Sequence, residues 1–379
     1  MPIRQGSGAG AACRVIAFVR VPVHATEPLL PCAPQDRPVV IAHRGASGYV
    51  PEHTLAAYSL AIEMGADFVE PDLVMTGDGV LVARHENEIG GTTDIAGRPE
   101  FADRRTTKMI DGQTVVGWFT EDFTLAELKT LRARERIPEV RPANARLDGI
   151  FAVPSFEEVL DLVRGANFRF QLEAVAAGRS TRRCVGVYPE TKHPSYFRGI
   201  GLPMEGPLIR LLEGADFPQT GSVFIQSFEV GNLQRLRTMT ALPLVQLLSD
   251  SGAPWDFVAA GDQRTYADLA TPDGLAGIAR YAAGVGVNKN LVIPRTGDGG
   301  SLGAPTTLIA DAHAAGLAVH GWTFRAENPF LPAEFRSSGG DAARGDLNAE
   351  IEAFLEQGMD GFFTDQADIG VRARDAFAD

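Results

Sequence analysis

Two histidines in this sequence stand at the ends of short apolar runs. They are His43 and His85. Imidazole titrates near neutral pH, so two such groups facing one site can serve as a general base and a general acid. Arg44 directly follows His43, and a guanidinium group binds phosphate oxygens through paired hydrogen bonds. These three residues indicate acid–base chemistry on an anionic substrate.

Carboxylates occur at comparable positions in two further runs. Glu70 and Asp72 are two residues apart, so on a strand both side chains point to the same side. Carboxylates this close repel each other unless a cation lies between them. Glu190 and Lys192 are spaced in the same way, and the lysine could balance a carboxylate or contact phosphate. Ligation by oxygen favours Ca²⁺ or Mg²⁺ over Zn²⁺, so we predict a divalent metal site.

These side chains need a scaffold that brings several strand ends together. Short apolar runs alternate with helical patterns along the chain, which is typical of βα units with strands covered on both faces. We therefore predict an α/β fold, a (β/α)8 TIM barrel, with its active site at the C-terminal ends of the strands. Nine runs compete for eight strand positions, and we interpret the run at 284–288 as a short extra strand. The predicted strands are residues 39–43, 68–73, 80–85, 184–192, 222–228, 242–248, 284–288, 317–324 and 361–365.

The stretch after the third predicted strand is too long for an ordinary βα connection. We predict that residues 87–150 form an insertion that folds over the barrel mouth. Its arginines between residues 132 and 146 alternate with Glu135 and Glu139, which favours a solvated surface over a phosphate site. A second long segment, residues 326–347, could be a lid.

The composition is that of a soluble globular protein, with 45% hydrophobic and 22% charged residues. Lys and Arg number 35 against 48 Asp and Glu, a formal net charge of −13. A chain with this charge repels polyphosphate, so we expect no nucleic-acid partner. No apolar run reaches the roughly 20 residues of a membrane span, and we predict none.

The N-terminal residues differ in character from the rest of the chain. We treat residues 1–37 as a leader, either disordered or an export signal, although Arg20 interrupts its apolar run. Residues 38–379 then form the barrel domain. The three cysteines, Cys13, Cys32 and Cys184, are odd in number and lack a C-x-x-C pattern, so we predict no disulfide framework. Cys184 is interpreted as a buried small apolar residue.

Taken in order, these motifs resemble those of the glycerophosphodiester phosphodiesterase family. The run from His43 to Thr54, HRGASGYVPEHT, resembles the opening motif of that family, and its Pro-Glu-His-Thr form resembles the larger bacterial, periplasmic-type members. The resemblance spans residues 38–370, although the N-terminus supports export only weakly, so the location stays open. Other matching segments are Glu70-x-Asp72, Tyr188-Pro189-Glu190-Thr191-Lys192, Gln226-Ser227-Phe228, Trp322-Thr323-Phe324 and Phe363-Thr364-Asp365.

The resemblance implies a role for each candidate residue. Glu70, Asp72 and Glu190 would hold a divalent ion, Ca²⁺ or Mg²⁺. His43 and His85 would be general base and acid, and Arg44 and Lys192 would bind phosphate. Trp322 and Phe324 would pack on the glycerol or on the mouth of the site, unless they are plain core. Glu52 would order the first loop. Gln226 and Asn288 are weaker candidates for supporting residues.

Three features depart from the family pattern or leave a choice open. The family usually has His-Asp after its third strand, where this chain has His85-Glu86. Glu173 could take the place of Glu190 as metal ligand, but it lies in a helix-like stretch, so we prefer Glu190. His193, beside Lys192, could contact substrate or be a polar loop residue.

The resemblance implies hydrolysis of small glycerophosphodiesters to sn-glycerol 3-phosphate and an alcohol such as choline or ethanolamine. It suggests that a glycerol hydroxyl attacks first and that water then opens a cyclic phosphate, while direct attack by water stays open. One alternative is lysophospholipase D-like activity on lipid phosphodiesters, which an apolar rim near Phe330 and Phe335 would favour. Another is a non-catalytic barrel that binds phosphodiesters.

Overall fold

The computed structural model describes residues 29–34, 36–215, 222–297 and 300–378. Most of the predicted leader therefore lies outside the described residues. Within those ranges the strands are β1 Val39–His43, β2 Phe68–Glu70, β3 Asp72–Met75, β4 Leu81–Ala83, β5 Thr106–Ile110, β6 Gln113–Gly117, β7 Gly186–Val187, β8 Glu190–Thr191, β9 Ile225–Ser227, β10 Leu244–Leu248, β11 Gly284–Asn288, β12 Arg295–Thr296, β13 Ser301–Leu302, β14 Ala318–Phe324 and β15 Gly361–Thr364.

Helices follow most of the strands. The α-helices are α1 Leu55–Glu63, α2 Leu125–Leu128, α3 Pro142–Ala145, α4 Phe156–Ala176, α5 Pro194–Gly199, α6 Glu205–Gly214, α7 Val230–Arg237, α8 Trp255–Ala260, α9 Tyr266–Leu269, α10 Pro272–Ile278, α11 Leu308–Ala314, α12 Leu347–Leu355 and α13 Ala367–Ala378. Short 3-10 helices cover Ile95–Gly97, Pro99–Arg104, Thr120–Asp122, Lys289–Leu291, Asn328–Phe330 and Ala333–Phe335. None of the helices in the described ranges is both long and apolar enough to cross a lipid bilayer.

The parallel strands close into a ring of eight positions. β2 and β3 form one strand interrupted at Pro71, which lacks an N–H for the ladder, and β7 and β8 form another. β1 pairs with both β15 and β2, and the ring continues through β7 and β8 to β9, β10, β11, β14 and β15. The predicted (β/α)8 barrel is confirmed.

Side-chain alternation along the strands separates two apolar cores. In a small barrel, side chains on each strand point alternately inward and toward the outer helices. A compact cluster of Ile41, Phe68, Tyr188, Val245 and Phe363 fills the interior. The larger core, which includes the neighbouring residues of the same strands, packs under the helices. Burial on both faces explains why the strands read as continuous apolar runs.

The interpretation of the extra strand was wrong. β11 pairs in parallel with β10 and β14 and is a full member of the barrel. Among the nine predicted strands, the one outside the ring is β4, which pairs antiparallel with β3. The physical reason is the length of the connection, because residues 76–80 suffice for a hairpin while a parallel crossover needs roughly a dozen residues or more.

Helix starts agree with the local sequence signals. The Thr54 side chain accepts a hydrogen bond from the Ala57 N–H at the start of α1, and capping boxes begin α2 at Thr124 and α4 at Ser155. Between β4 and α4, in the region predicted to be inserted, lie the β5–β6 hairpin and the short helices α2 and α3. This segment supplies several side chains to the site described below.

The structure contains a disulfide bond between Cys32 and Cys184, so the interpretation of Cys184 as a buried small apolar residue was wrong. The chain around Cys32 is held to the barrel by backbone hydrogen bonds between Ala33 N–H and Arg182 C=O and between Arg182 N–H and Pro31 C=O. The last residues of the predicted leader therefore pack against the domain. With three cysteines, not every one can pair within the chain, but two of them can still form a single disulfide bond.

Candidate active site

A cavity of about 300 Å³ opens at the C-terminal ends of the barrel strands. This is the end at which barrels of this type carry their sites. Most of the predicted site residues line the cavity, namely His43, Arg44, Glu70, His85, Glu190, Lys192, Gln226, Asn288 and Trp322. Asp72 and Glu52 lie directly behind this surface, bonded to Arg44.

Three carboxylates meet on one side of this cavity. Glu70 ends β2, Asp72 begins β3, and Glu190 begins β8 beside Asp72 in the parallel register. One oxygen from each lies within 4.8 Å of the others, and all three residues are buried. Burial and the neighbouring carboxylates raise the pKa of Glu70 well above its usual value and that of Glu190 to about 8. Without a cation, Glu70 and Glu190 therefore favour their protonated forms more than ordinary glutamates do, and a bound cation would stabilise the ionised forms.

The donor set fits a hard divalent cation. Carboxylate oxygens are the ligands that Ca²⁺ and Mg²⁺ prefer. Gln226 donates a hydrogen bond from Nε2 to Oε1 of Glu70 at 3.2 Å, while its own buried Oε1 has no hydrogen-bond partner. The exposed Glu173 lies on α4, away from the cluster, which agrees with the preference for Glu190.

Asp72 is held in its ionised form by a cationic surrounding. His53 contacts its Oδ2 through Nε2 at 2.9 Å and contacts the Tyr58 hydroxyl through Nδ1 at 2.7 Å. Burial alone would raise the pKa of Asp72, but Arg44 and Lys192 hold it well below its usual range. Sequence reasoning assigned no role to His53, although it lies inside the first motif.

Arg44 is fixed by contacts on both its backbone and its side chain. Its φ of 60° places it in the left-handed region, and its backbone N–H donates to Oε2 of Glu70 at 2.8 Å. Its guanidinium donates to Oε2 of Glu52 at 3.0 Å and lies 3.2 Å from Asp72. Glu52 also accepts from Nε of Arg136 at 3.1 Å, so it links the first loop to the segment predicted to be inserted.

His43 is oriented by a buried carboxylate. Its Nδ1 lies 2.6 Å from Oδ1 of Asp365, and because an ionised carboxylate only accepts, Nδ1 carries the proton. Burial, followed by the charge of Arg44, lowers the pKa of His43 to about 4. The imidazole is therefore neutral near pH 7, with the lone pair on Nε2 free to accept a proton.

Asp365 is in turn bound by two arginines. Its Oδ2 accepts from Arg141 at 2.5 Å and from Arg325 at 2.8 Å. Arg141 is buried and also pairs with Glu327, so the interpretation of residues 132–146 as a solvated surface was wrong at this position. Asp365 belongs to the Phe363-Thr364-Asp365 segment, for which no role was predicted. Its position at the end of the last strand is the signal that could have identified it.

His85 begins a chain of alternating histidine and carboxylate groups. Its Nδ1 lies 2.8 Å from Oε1 of Glu86, and Oε2 of Glu86 lies 2.7 Å from Nε2 of His193. Nδ1 of His193 lies 2.6 Å from Oδ2 of Asp111 in the β5–β6 turn. Burial, then Arg44 and Lys192, lower the pKa of His85 to about 3.

His193 contacts a carboxylate through each ring nitrogen, which requires both nitrogens to carry protons. Although burial opposes the charge, hydrogen bonds to Asp111 and Glu86 raise the pKa of His193 to about 9. His193 therefore acts as a cation behind His85, and it does not line the main cavity. Of the two open interpretations, that of a polar loop residue agrees with its position between β8 and α5, although both ring nitrogens contact carboxylates.

Lys192 and Trp322 face the cavity, whereas Phe324 does not. Lys192 donates from Nζ to Oε1 of Glu190 at 3.0 Å, and Trp322 donates from Nε1 to the Gly286 carbonyl at 2.9 Å. Phe324 is fully buried in the outer core. For Phe324 the structure therefore agrees with the alternative that it is plain core, and the register of β14 against β15 shifts between Gly321 and Phe324.

Comparison with known proteins gives a consistent result. The model of the Glycerophosphoryl diester phosphodiesterase family matches residues 43–369. The chain is 33% identical to glycerophosphodiester phosphodiesterase GDPD6 of Arabidopsis thaliana, covering 94% of this chain and 91% of that protein. It is 35% identical to glycerophosphodiester phosphodiesterase of Bacillus subtilis, covering 68% and 76%.

The fold is also found among solved structures. A phosphodiesterase from Oleispira antarctica, solved in complex with the product sn-glycerol-3-phosphate, superposes with a TM-score of 0.55 at 19% identity, covering 89% of this chain and 97% of that one. At this identity the likeness concerns the fold alone. The match of the family model over most of the chain and the identity to the relatives carry the assignment, and the chain belongs to the glycerophosphoryl diester phosphodiesterase family.

Proposed function

We propose that this protein hydrolyses glycerophosphodiesters to sn-glycerol 3-phosphate and an alcohol. The observation that carries the proposal is the cluster of Glu70, Asp72 and Glu190 in one cavity with two histidines whose Nδ1 atoms are each fixed by a carboxylate. The product bound to the Oleispira antarctica relative supports this substrate class.

The three carboxylates would hold one divalent cation, Ca²⁺ or Mg²⁺. When bound, such an ion neutralises charge that develops on the phosphoryl oxygens. Arg44 and Lys192 line the same cavity and would bind the phosphate oxygens directly. Both cations are already oriented by carboxylates, so little reorganisation is needed when the substrate binds.

His43 would act as the general base. Its neutral Nε2 would take the proton of the attacking hydroxyl, and Asp365 would stabilise the resulting imidazolium. The family resemblance favours attack by a free glycerol hydroxyl, with expulsion of the alcohol and formation of a cyclic phosphate that water then opens. Direct attack by water would use the same base.

His85 would protonate the departing alcohol oxygen. Its pKa of about 3 in the substrate-free protein is lowered by burial and by the nearby Arg44 and Lys192. A bound phosphodiester anion would offset these two cations and raise the pKa of His85, so that the protonated form becomes accessible where the proton is needed. Glu86 would keep the ring in place during the transfer.

The size of the cavity favours small substrates over lipids with long tails. Phe330 is only half-buried, but its ring is covered by the Arg325 guanidinium at 4.8 Å, and Phe335 packs against the core. The apolar rim that would favour a lysophospholipase D-like activity is therefore small. A purely binding role has little support, because both histidines and all three carboxylates face one site.

The test is release of sn-glycerol 3-phosphate from a panel of glycerophosphodiesters, with and without EDTA, for wild type and His43→Ala. We expect release that depends on a divalent ion and a loss of at least about 100-fold in the variant. No release by folded wild-type protein with Ca²⁺, Mg²⁺ or Mn²⁺ on any substrate would contradict the proposal.

A further inference from the structure

A second cavity, of about 270 Å³, lies beside the active-site cavity. Glu190, Lys192 and Phe228 line both cavities, so the two adjoin where β8 and β9 end. The proposed chemistry does not use the second one, which we call the side cavity. It is defined by three aromatic rings and two carboxylates, those of Phe228, Trp255, Tyr266, Asp111 and Glu229.

The side cavity lies on the side of the site from which the alcohol departs. The proposed general acid, His85, contacts Glu86, and Glu86 contacts His193, which lines the side cavity. The proposed general base, His43, does not line it. An alcohol that takes a proton from His85, on a phosphate held by Lys192, can therefore extend into the side cavity.

The rings of the side cavity suit a cationic ligand. Phe228 and Tyr266 meet edge to face with their centroids 6.0 Å apart. Trp255 packs so closely against Gly112 in the β5–β6 turn that a Cβ at Gly112 would lie 2.8 Å from the indole ring. Aromatic ring faces attract cations, and groups of such rings bind quaternary ammonium ions. The carboxylates beside these rings distinguish the side cavity from plain apolar packing.

The carboxylates of the side cavity are short of positive charge. Glu229 is buried, and its hydrogen bonds within the described residues come from neutral donors, the Ser195 N–H and hydroxyl. Oδ2 of Asp111 contacts His193, while its buried Oδ1 has no partner in the described part of the chain. Burial, and then the charges of Asp256 and Asp111, raise the pKa of Glu229 to about 7 against the hydrogen bonds from Ser195. A nearby cation would stabilise its ionised form.

Two cations line the side cavity as well, Lys192 and His193, and carboxylates already bind both. In the proposed complex Lys192 would bind the phosphate, and its present partner, Glu190, would bind the metal. The buried Glu229 is then left without a cationic partner.

The charged groups just outside the side cavity balance one another. Arg198 and Arg235 both pair with Glu205. Burial raises the pKa of Asp256, and the charge of Arg235 opposes this shift. Two cations therefore face two carboxylates here, and neither cation is left over for Glu229.

We infer that the side cavity binds the cationic head group of the departing alcohol, so that diesters of choline and ethanolamine are preferred over those of uncharged alcohols. The three rings would contact the ammonium group, and Glu229 would supply the opposite charge. This inference rests on the proposed function, because it names the substrate class for the same site.

The test compares kcat/KM for glycerophosphocholine, glycerophosphoethanolamine and glycerophosphoglycerol at about pH 8, above the pKa of Glu229. We expect both cationic diesters to be better substrates by at least about tenfold. Glu229→Gln removes the charge, while its amide can still accept from the Ser195 N–H and donate to the Ser195 hydroxyl. We expect this variant to lose most of the preference and to change the rate on the glycerol diester by less than about twofold.

Glu213→Gln is the matched control, because it removes the same charge at an exposed position on α6. It should leave the substrate preference unchanged. Trp255→Leu keeps an apolar side chain but removes one ring, and we expect it to lower the preference for the choline diester several-fold.

Binding of the same diesters to His43→Ala in the presence of Mg²⁺ or Ca²⁺, measured by titration calorimetry, separates this inference from catalysis. A preference in Kd for the cationic diesters that is lost when Glu229→Gln is added supports the side cavity, even if no diester is hydrolysed and the proposed function falls. Equal binding of the three diesters, no binding, or a preference that Glu229→Gln leaves intact overturns the inference.

Discussion

Asp365 and His43 are 322 positions apart in sequence, yet Oδ1 of the first lies 2.6 Å from Nδ1 of the second. The contact exists because β15 pairs with β1 and places Thr364 beside Ala42. It selects the His43 tautomer with a free Nε2, and it would stabilise the imidazolium that forms when a proton is accepted.

We predict that Asp365→Asn lowers kcat by at least about 100-fold with little change in KM, because an amide neither selects this tautomer nor stabilises the imidazolium. Asp365 raises the pKa of His43 against the effect of burial. Its loss should therefore move the acidic limb of the kcat/KM profile to lower pH, a change that partial unfolding would not cause. An unshifted limb with wild-type kcat would contradict the role of this carboxylate.

Some of the site follows from sequence because strand periodicity is local. The spacing of Glu70 and Asp72 fixes that both side chains point the same way, and barrel topology then brings Glu190 beside them. Only two further facts were needed, that the runs are strands and that parallel strands align their C-terminal ends.

Other parts depend on contacts that sequence spacing does not encode. The pairing of Arg141 with Glu327 and Asp365 joins the region predicted to be inserted to two distant loops. Cys32 lies near Cys184 because the segment around Cys32 pairs with the chain at Arg182, 150 positions later in the sequence. The burial of Phe324 follows from a local irregularity in strand pairing. A prediction that side chains alternate regularly between the two faces of a strand cannot anticipate such an irregularity.

The chain from His85 through Glu86 to His193 gives a second prediction. His193→Gln removes the cation that holds Glu86, so His85 loses its fixed orientation. We expect kcat to fall by about tenfold with KM nearly unchanged. His313→Gln, at an exposed histidine bonded to Asp360, is the control. If both variants keep wild-type kcat, the chain does not position His85.

His193 should also make stability depend on pH. Its folded-state pKa of about 9 lies above the ordinary value of 6.5, so the folded protein holds this proton more tightly than the unfolded chain. The contribution, up to about 3 kcal/mol, is fully present below pH 6.5 and is lost as pH rises through 9. Urea unfolding across this range measures it. The free energy of unfolding should change less with pH in His193→Gln than in wild type. An identical change with pH would show that His193 is not the titrating group.

The disulfide should contribute to stability without affecting activity. Cys32 and Cys184 are 152 residues apart, and closing so long a loop restricts the unfolded chain strongly. Cys184 precedes β7 at the N-terminal side of the barrel, away from the catalytic end. We expect Cys32→Ala with Cys184→Ala to lower the free energy of unfolding by about 2–5 kcal/mol and to keep kcat/KM. Cys13→Ala is the control, and a double variant as stable as wild type would contradict the prediction.

The carboxylate cluster makes a prediction about metal binding that needs no turnover. Glu190→Gln replaces one proposed carboxylate ligand with a neutral amide and removes the negative charge that pairs with Lys192, so the Lys192 ammonium group would oppose a cation in the cluster. We expect the Kd for Ca²⁺ or Mg²⁺, measured by calorimetry, to rise by at least about tenfold. The metal should also raise the Tm of wild type, because it binds the folded state alone, and should raise that of the variant much less.

Glu173→Gln provides the matched control for this measurement. Glu173 is exposed on α4, and its sequence context made it the alternative to Glu190 as a ligand. The same charge is removed in both variants, so a general electrostatic effect on metal affinity would change both equally. A weaker affinity in Glu190→Gln alone assigns the ligand. If only Glu173→Gln binds the metal more weakly, the assignment of the metal to Glu70, Asp72 and Glu190 is contradicted, because Glu173 lies on α4 and not on β8.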